Sequence, residues 1–151
     1  MTRTEKPRAA SVQEVVDHML VHDAFTRWLG AEVVEVAIGR CTLRMTVRDE
    51  MVNGFGVAHG GIAYSFADSA MAFACNGAGR VTVALDTSMS YPAAVMVGDQ
   101  LVAVAEEESA TSKLAFYRVV VRKQDDTIVA LFRGTVYRTQ RRHDVTSSES
   151  Q

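Results

Sequence analysis

The sequence predicts an α+β fold in which an antiparallel sheet wraps one long central helix, with a shorter helix at the N-terminus. Three observations predict it. From Glu50 to Arg80 the only intervening residue charged at pH 7 is Asp68, and Ile62 to Asn76 contains neither proline nor glycine, so the segment reads as a helix apolar on nearly every face. Two strand-like segments precede that helix and four follow it. A helix without a polar side is normally buried, and a sheet joined by short turns, together with a partner chain, supplies the cover.

Each element has its own reason. Residues 1–10 are polar and charged and predict a flexible N-terminus. Ser11 followed by Glu14 is a capping box, and the apolar spacing after it predicts a helix over 11–22. His18 and His22 share one face of it and read as surface histidines. Phe25, Trp28 and Leu29 are expected to dock this end onto the body of the fold. Segments 31–38 and 41–47 flank Gly39-Arg40 and form a hairpin. Alternation from Val81 to Tyr91 predicts a strand that Pro92 ends. Strands 101–108, 114–123 and 127–138 complete the set; Glu106-Glu107-Glu108 reads as a solvated strand tip, and Gln124-Asp125-Asp126 as a turn. From Thr139 the composition is polar, and a disordered tail over 139–151 is expected. A single domain over 11–138 results.

Composition removes several classes of function. Sixteen basic against eighteen acidic residues, with no polybasic face, argue against nucleic acid as a partner. No apolar stretch is long enough and free enough of polar groups to span a membrane, and the N-terminus has no apolar core of a signal peptide. Cys41 and Cys75 sit in apolar strand and helix contexts and read as reduced core residues of a cytoplasmic protein. No Cys/His spacing suggests a metal site.

The chemistry is expected at the central helix. A buried carboxylate is costly unless something pairs with it or uses it, which singles out Asp68. The turn Asn53-Gly54-Phe55-Gly56-Val57-Ala58-His59-Gly60-Gly61 feeds the helix start. Backbone N–H groups there lack intrahelical partners and sit at the positive end of the helix dipole. Gly60 and Gly61 let a ligand approach without a Cβ in the way. Such a turn suits a phosphate, a carboxylate or an oxyanion. His59 reads as the residue that bonds backbone and fixes the turn. Asp68 follows Gly60 by eight residues, roughly 12 Å along a helix axis. That is too far for both to serve one carbonyl within a single helix, so two antiparallel helices at a dimer interface are expected. Phe66, Met71 and Phe73 read as core.

These residues resemble the hotdog-fold acyl-CoA thioesterases, and most nearly the phenylacetate-degradation (phenylacetyl-CoA) thioesterase family. The resemblance rests on Asn53-Gly54, His59-Gly60-Gly61, Ala67-Asp68, Ala74-Cys75-Asn76, Tyr91-Pro92, Gly98-Asp99 and Ala130-Leu131-Phe132-Arg133-Gly134, and spans roughly 20–138. It implies a homotetramer of two hotdog dimers with acyl-CoA between subunits. It further implies that the Gly60 N–H polarises the thioester carbonyl and that Asp68, from the other subunit, acts as general base for water or as nucleophile. Asn53 and His59 would order the turn and help position water or the thioester. The substrate would be an aryl-acetyl-CoA (phenylacetyl or hydroxyphenylacetyl) or a similar medium-sized acyl-CoA. No cofactor is implied, coenzyme A being part of the substrate. Gly61, Phe55, Tyr64 and Ser65 are candidates to contact substrate. Ser112 and Lys113 are candidates at the coenzyme A end, although Ala110-Thr111-Ser112-Lys113 lacks a glycine that relatives often carry there. Two other readings stand beside this one: a hotdog enoyl-CoA hydratase/dehydratase, which would want a catalytic His paired with an acid in a different motif, and a non-catalytic acyl-CoA-binding protein.

Overall fold

The computed structural model describes residues 8–145. Ser11 caps α1 (Val12–His22): its hydroxyl accepts the Glu14 N–H, and the Glu14 carboxylate accepts the Ser11 N–H, so the capping box forms as expected. A second short helix, α2 (Ala24–Leu29), follows at once, capped by Asp23 and ended by Gly30 in the left-handed conformation. Of the three residues expected to dock there only Leu29 is buried; Phe25 and Trp28 are about half exposed, and the body of the fold receives Thr26 instead. Six residues make less than two helical turns, so one face alone can reach the core.

Strands β1 (Glu32–Ala37) and β2 (Arg40–Thr46) form the first hairpin. The central helix α3 (Gly60–Asn76) comes next, then β3 (Arg80–Ser90), β4 (Gln100–Ala110), β5 (Leu114–Lys123) and β6 (Ile128–Arg142). All pairings are antiparallel, in the order β1-β2-β4-β5-β6-β3. The chain thus crosses the sheet through α3, and β1 and β3 become the two edges.

Strand β6 runs four residues beyond the expected domain end at 138. Composition there is polar because the strand tip is solvated, yet the backbone is paired: Arg80 lies opposite Arg142, the Thr139 hydroxyl donates to the Val81 carbonyl, and His143 donates its backbone N–H to Gly79. Residues 1–7 and 146–151, covered by the expected flexible terminus and tail, lie outside the described residues. The Glu106–Glu108 segment is largely exposed, as a solvated strand end would be. It is part of β4, and each carboxylate meets a cation: Arg40 and Arg118 on Glu106, Arg138 on Glu107, Arg133 on Glu108.

The inner face of the sheet holds Leu43, Met45, Ala103, Val119, Val121 and Phe132 against Phe66, Ala67, Ala70, Met71 and Phe73 of α3, all buried. The alanines let the helix lie close. Gly134 does the same from β6, where a Cβ would stand 2.2 Å from the Met71 sulfur. The helix is not covered all round. Gly60, Gly61, Tyr64, Ser65, Asp68, Ala72 and Cys75 are each at least partly exposed and recur at helical spacing, so they form one uncovered stripe.

Candidate active site

His59 builds the start of α3. Its Nδ1 accepts the Gly61 N–H at 2.8 Å and its carbonyl accepts the Ile62 N–H at 2.9 Å. Nδ1 therefore carries no proton, and the side chain acts as the cap that sequence reasoning assigned to it. The Gly60 N–H has no acceptor among the described residues, so one helix-start donor remains available. Gly61 N–H, by contrast, is engaged by His59, which makes Gly60 the donor of the pair.

Asn53 organises the preceding loop. Its Oδ1 accepts the Phe55 N–H at 2.9 Å, its carbonyl accepts the Gly56 N–H, and its own N–H donates to Val57. The side-chain nitrogen keeps its donors. Gly56 has a φ of 76°, a conformation that favours glycine. Phe55 at the loop tip is 92% exposed and touches nothing that would make it core.

Beside the Gly60 turn lies a cavity of about 210 Å³ lined by Val57, Ala58, Ile62, Ala63, Ala93, Val95, Leu101 and Val129, with His59, Gly60 and Tyr91 at its polar side. The sequence marks Tyr91 as the end of a strand and, with Pro92, as part of the family resemblance, but gives it no place in the site. Its hydroxyl donates to the Gly60 carbonyl at 3.1 Å, and its ring would lie 3.3 Å from a Cβ at Gly60. Nothing local announces this contact, since the partners are 31 residues apart.

Asp68 sits on the uncovered stripe, two turns after Gly60. No side chain or backbone donor bonds its carboxylate among the described residues. Partial burial, and secondarily the negative charge of Asp23, push its pKa above the ordinary carboxylate range. An unpaired carboxylate of raised pKa is a better proton acceptor than an exposed one. Tyr64, between Gly60 and Asp68 on the stripe, bonds the Thr87 hydroxyl of β3 and packs edge-on against Phe132. Ser65 is partly exposed beside it.

Ser112 and Lys113 are not brought to this site within one chain. They occupy the exposed β4–β5 turn, where Thr111 accepts the N–H groups of Lys113 and Leu114. The cavity is at the opposite end of β4, beside Leu101, roughly 30 Å away at the rise of an extended strand. Among the described residues no group of His, Cys, Asp or Glu is arranged to hold a metal ion, and no helix is long and apolar enough to cross a membrane.

Residues 55–130 match the family model of the thioesterase superfamily. A putative esterase of Archaeoglobus fulgidus is 36% identical over 131 residues, covering 87% of this chain and 85% of that protein. The acyl-coenzyme A thioesterase PaaI of Escherichia coli is 33% identical over 120 residues, covering 80% and 86%. The solved structure of the E. coli PaaI protein, from the phenylacetic acid degradation operon, superposes with a TM-score of 0.85 at 30% identity, over 87% of this chain and 95% of that one. With the sheet order, the central helix and the capped Gly60 turn already in place, these likenesses decide the family: the chain is a hotdog-fold enzyme belonging to the thioesterase superfamily.

Proposed function

We propose that this enzyme hydrolyses an aryl-acetyl-CoA, or an acyl-CoA of similar medium size, to the free acid and coenzyme A. The observation that carries the reading is the unpartnered Gly60 N–H opening onto an apolar cavity of about 210 Å³. The thioester carbonyl accepts the Gly60 N–H, and the acyl group enters the cavity, whose Ile62, Ala63, Val95 and Val129 walls favour an apolar group of limited size. Water loses a proton to Asp68 of the partner subunit as its oxygen attacks the carbonyl carbon. Negative charge gathers on the carbonyl oxygen, where the Gly60 N–H and the helix dipole stabilise it. Collapse breaks the C–S bond, and the thiolate of coenzyme A takes up the proton from Asp68. Asn53 and His59 hold the turn, with the free Asn53 amide directed to water or thioester. Coenzyme A enters with the substrate, and the reaction invokes no further cofactor.

Several features support a shared site. Gly60 and Asp68 are about 12 Å apart along one helix, and α3 leaves its site-bearing stripe uncovered. The adjacent edge strand β3 exposes Val83 and Leu85, an apolar edge suited to a second chain. A homodimer is therefore the smallest unit that is active, and a homotetramer its assembled form. Ser112 and Lys113 then meet the coenzyme A moiety from a neighbouring subunit. The free Cys41 and Cys75 suit a reducing cytoplasm.

The test is a panel of aryl-acetyl, straight-chain and branched acyl-CoA esters, followed by thiol release, with the wild type and Asp68→Asn. Aryl-acetyl and medium-chain esters are expected to give the highest kcat/KM, and Asp68→Asn to lose about 10²-fold or more in turnover. Near-wild-type hydrolysis by Asp68→Asn would overturn the mechanism.

A further inference from the structure

A buried polar relay joins the α1–α2 junction to the helix that bears the base. The Thr26 hydroxyl donates to Asp23 Oδ2 at 2.6 Å and lies 2.7 Å from the Ser69 hydroxyl. Because Thr26 gives its proton to a carboxylate, Ser69 must donate to Thr26, and the chain runs Ser69 to Thr26 to Asp23. Thr26 and Ser69 are both buried, and Ser69 is the residue after Asp68. Asp23 Oδ1 also accepts the Thr26 N–H at 2.9 Å, which caps α2.

We propose that Asp23 is a positioning residue for thioester hydrolysis: through Thr26 and Ser69 it anchors the middle of α3, and its charge sets the electrostatic surroundings of Asp68. The inference rests on Asp68 being the base, as argued above. A neutral cap would satisfy α2 equally well, so the cap alone does not call for a carboxylate. Two negative groups held near one another favour the protonated form of the more buried one, and Asp23 is the charge that acts on Asp68.

Several of the other titratable groups packed around α3 have partners of their own, although Cys75 itself feels the charge of Asp68. Cys75, on the same helix, is held as a neutral thiol by burial, its pKa pushed up to about 12. Glu107 of β4 takes Tyr117 of β5 and Arg138 of β6. Arg40 of β2 pairs with Glu106, and Glu32 of β1 with Arg44. Asp86 of β3 and Arg133 line a separate polar recess with Glu108. His18 of α1 acts on His143.

The experiment compares kcat/KM against pH for the wild type, Asp23→Asn and Asp23→Ser, both of which keep a helix cap without the charge. Activity needs ionised Asp68, so it falls on the acid side as pH passes through the pKa of that group. Removing the Asp23 charge is expected to move this acid limb to lower pH in both variants. Thr26→Val, which cuts the relay and leaves the charge, is expected to lower kcat on the order of tenfold with KM little changed, and Thr26→Ser to restore it. A purely structural cap would change melting temperature and leave the limb in place; that result in both Asp23 variants overturns the proposal. The Asp68→Asn control separates the two levels. If it stays active, the reading of the base fails; if it is inactive while the limb does not move, only the role of Asp23 fails.

Discussion

His59 and Gly61 form the contact that decides what the helix start can do: the imidazole Nδ1 accepts the Gly61 N–H at 2.8 Å. The cap engages the second N–H of the helix and leaves that of Gly60 open toward the apolar cavity. One side chain thus settles which donor is structural and which is available to a substrate.

Removing that cap should be measurable. His59→Ala is expected to destabilise the fold by about 1 kcal/mol in urea denaturation and to lower turnover. His59→Asn, with an acceptor of its own, should recover most of the stability. Gly61→Ala should behave like His59→Ala, because its Cβ would stand 2.9 Å from Nδ1 and drive the ring away. Unchanged stability in all three variants would exclude the capping role.

Asp68 links stability to pH with a definite sign. Its folded-state pKa lies above the ordinary value of 3.8, chiefly from burial and then from Asp23. The folded state therefore disfavours the ionised form. This cost is fully present above the raised folded pKa and is relieved as pH falls through it toward the unfolded value. Asp68→Asn should accordingly melt higher than the wild type at pH 7, with the difference shrinking as pH approaches 4. A variant that melts lower at pH 7 would contradict the assignment.

A site shared between subunits, as proposed above, predicts complementation. Gly60→Pro removes the N–H donor and Asp68→Asn removes the proposed base. In a mixed dimer one site carries both lesions and the other neither, so activity should appear where neither parent has any. No rescue after demonstrated subunit exchange would place both groups in one chain. Circular dichroism of the Gly60→Pro parent controls for damage to the turn.

Gly134 faces Met71 at a distance that admits no side chain. An added Cβ would lie 2.2 Å from the sulfur and 3.3 Å from the Phe132 ring. Gly134→Ala should lose about 1–3 kcal/mol, the range of an overpacked core, and Gly134→Ala with Met71→Ala should recover part of it. Equal stability of Gly134→Ala and wild type would show that the helix can shift at no cost.

Asn76 holds the far end of α3. Its amide donates to the Ala72 and Thr82 carbonyls and its oxygen accepts from the Thr82 N–H and from His143 Nε2 at 2.7 Å. Asn76→Ala leaves the buried Thr82 groups without partners and should cost about 1–3 kcal/mol per unsatisfied group. Burial, and then His18, hold the His143 pKa below 6.5. The folded state thus prefers neutral His143, and stability falls as pH drops below 6.5 toward the folded pKa. His143→Gln should flatten that acid-side decline in melting temperature; a profile identical to wild type would rule out the histidine as its source.

The sequence by itself determined the local features. The Ser11–Glu14 capping box, the proline-free apolar run of α3, the alternating strands and the glycines of the turn each act within a few residues, where backbone sterics, capping and hydrophobic period decide the outcome. Asp68 was legible for the same reason, as a single charge in an apolar run, and so was the capping role of His59. Only the tertiary structure decided what joins residues far apart in the chain. Tyr91 over Gly60, Asp23 and Thr26 beside Ser69, and β6 continuing to Arg142 all depend on how strands register and how α2 lies on α3. Phe25 and Trp28 look like core in composition, but the short α2 can turn only one face inward, and Thr26 and Leu29 occupy it. Glu106–Glu108 read as solvated and are largely exposed, but only the neighbouring strands decide that a cation stands against each carboxylate. Periodicity reports which side of an element is apolar, while long-range packing chooses what that side meets.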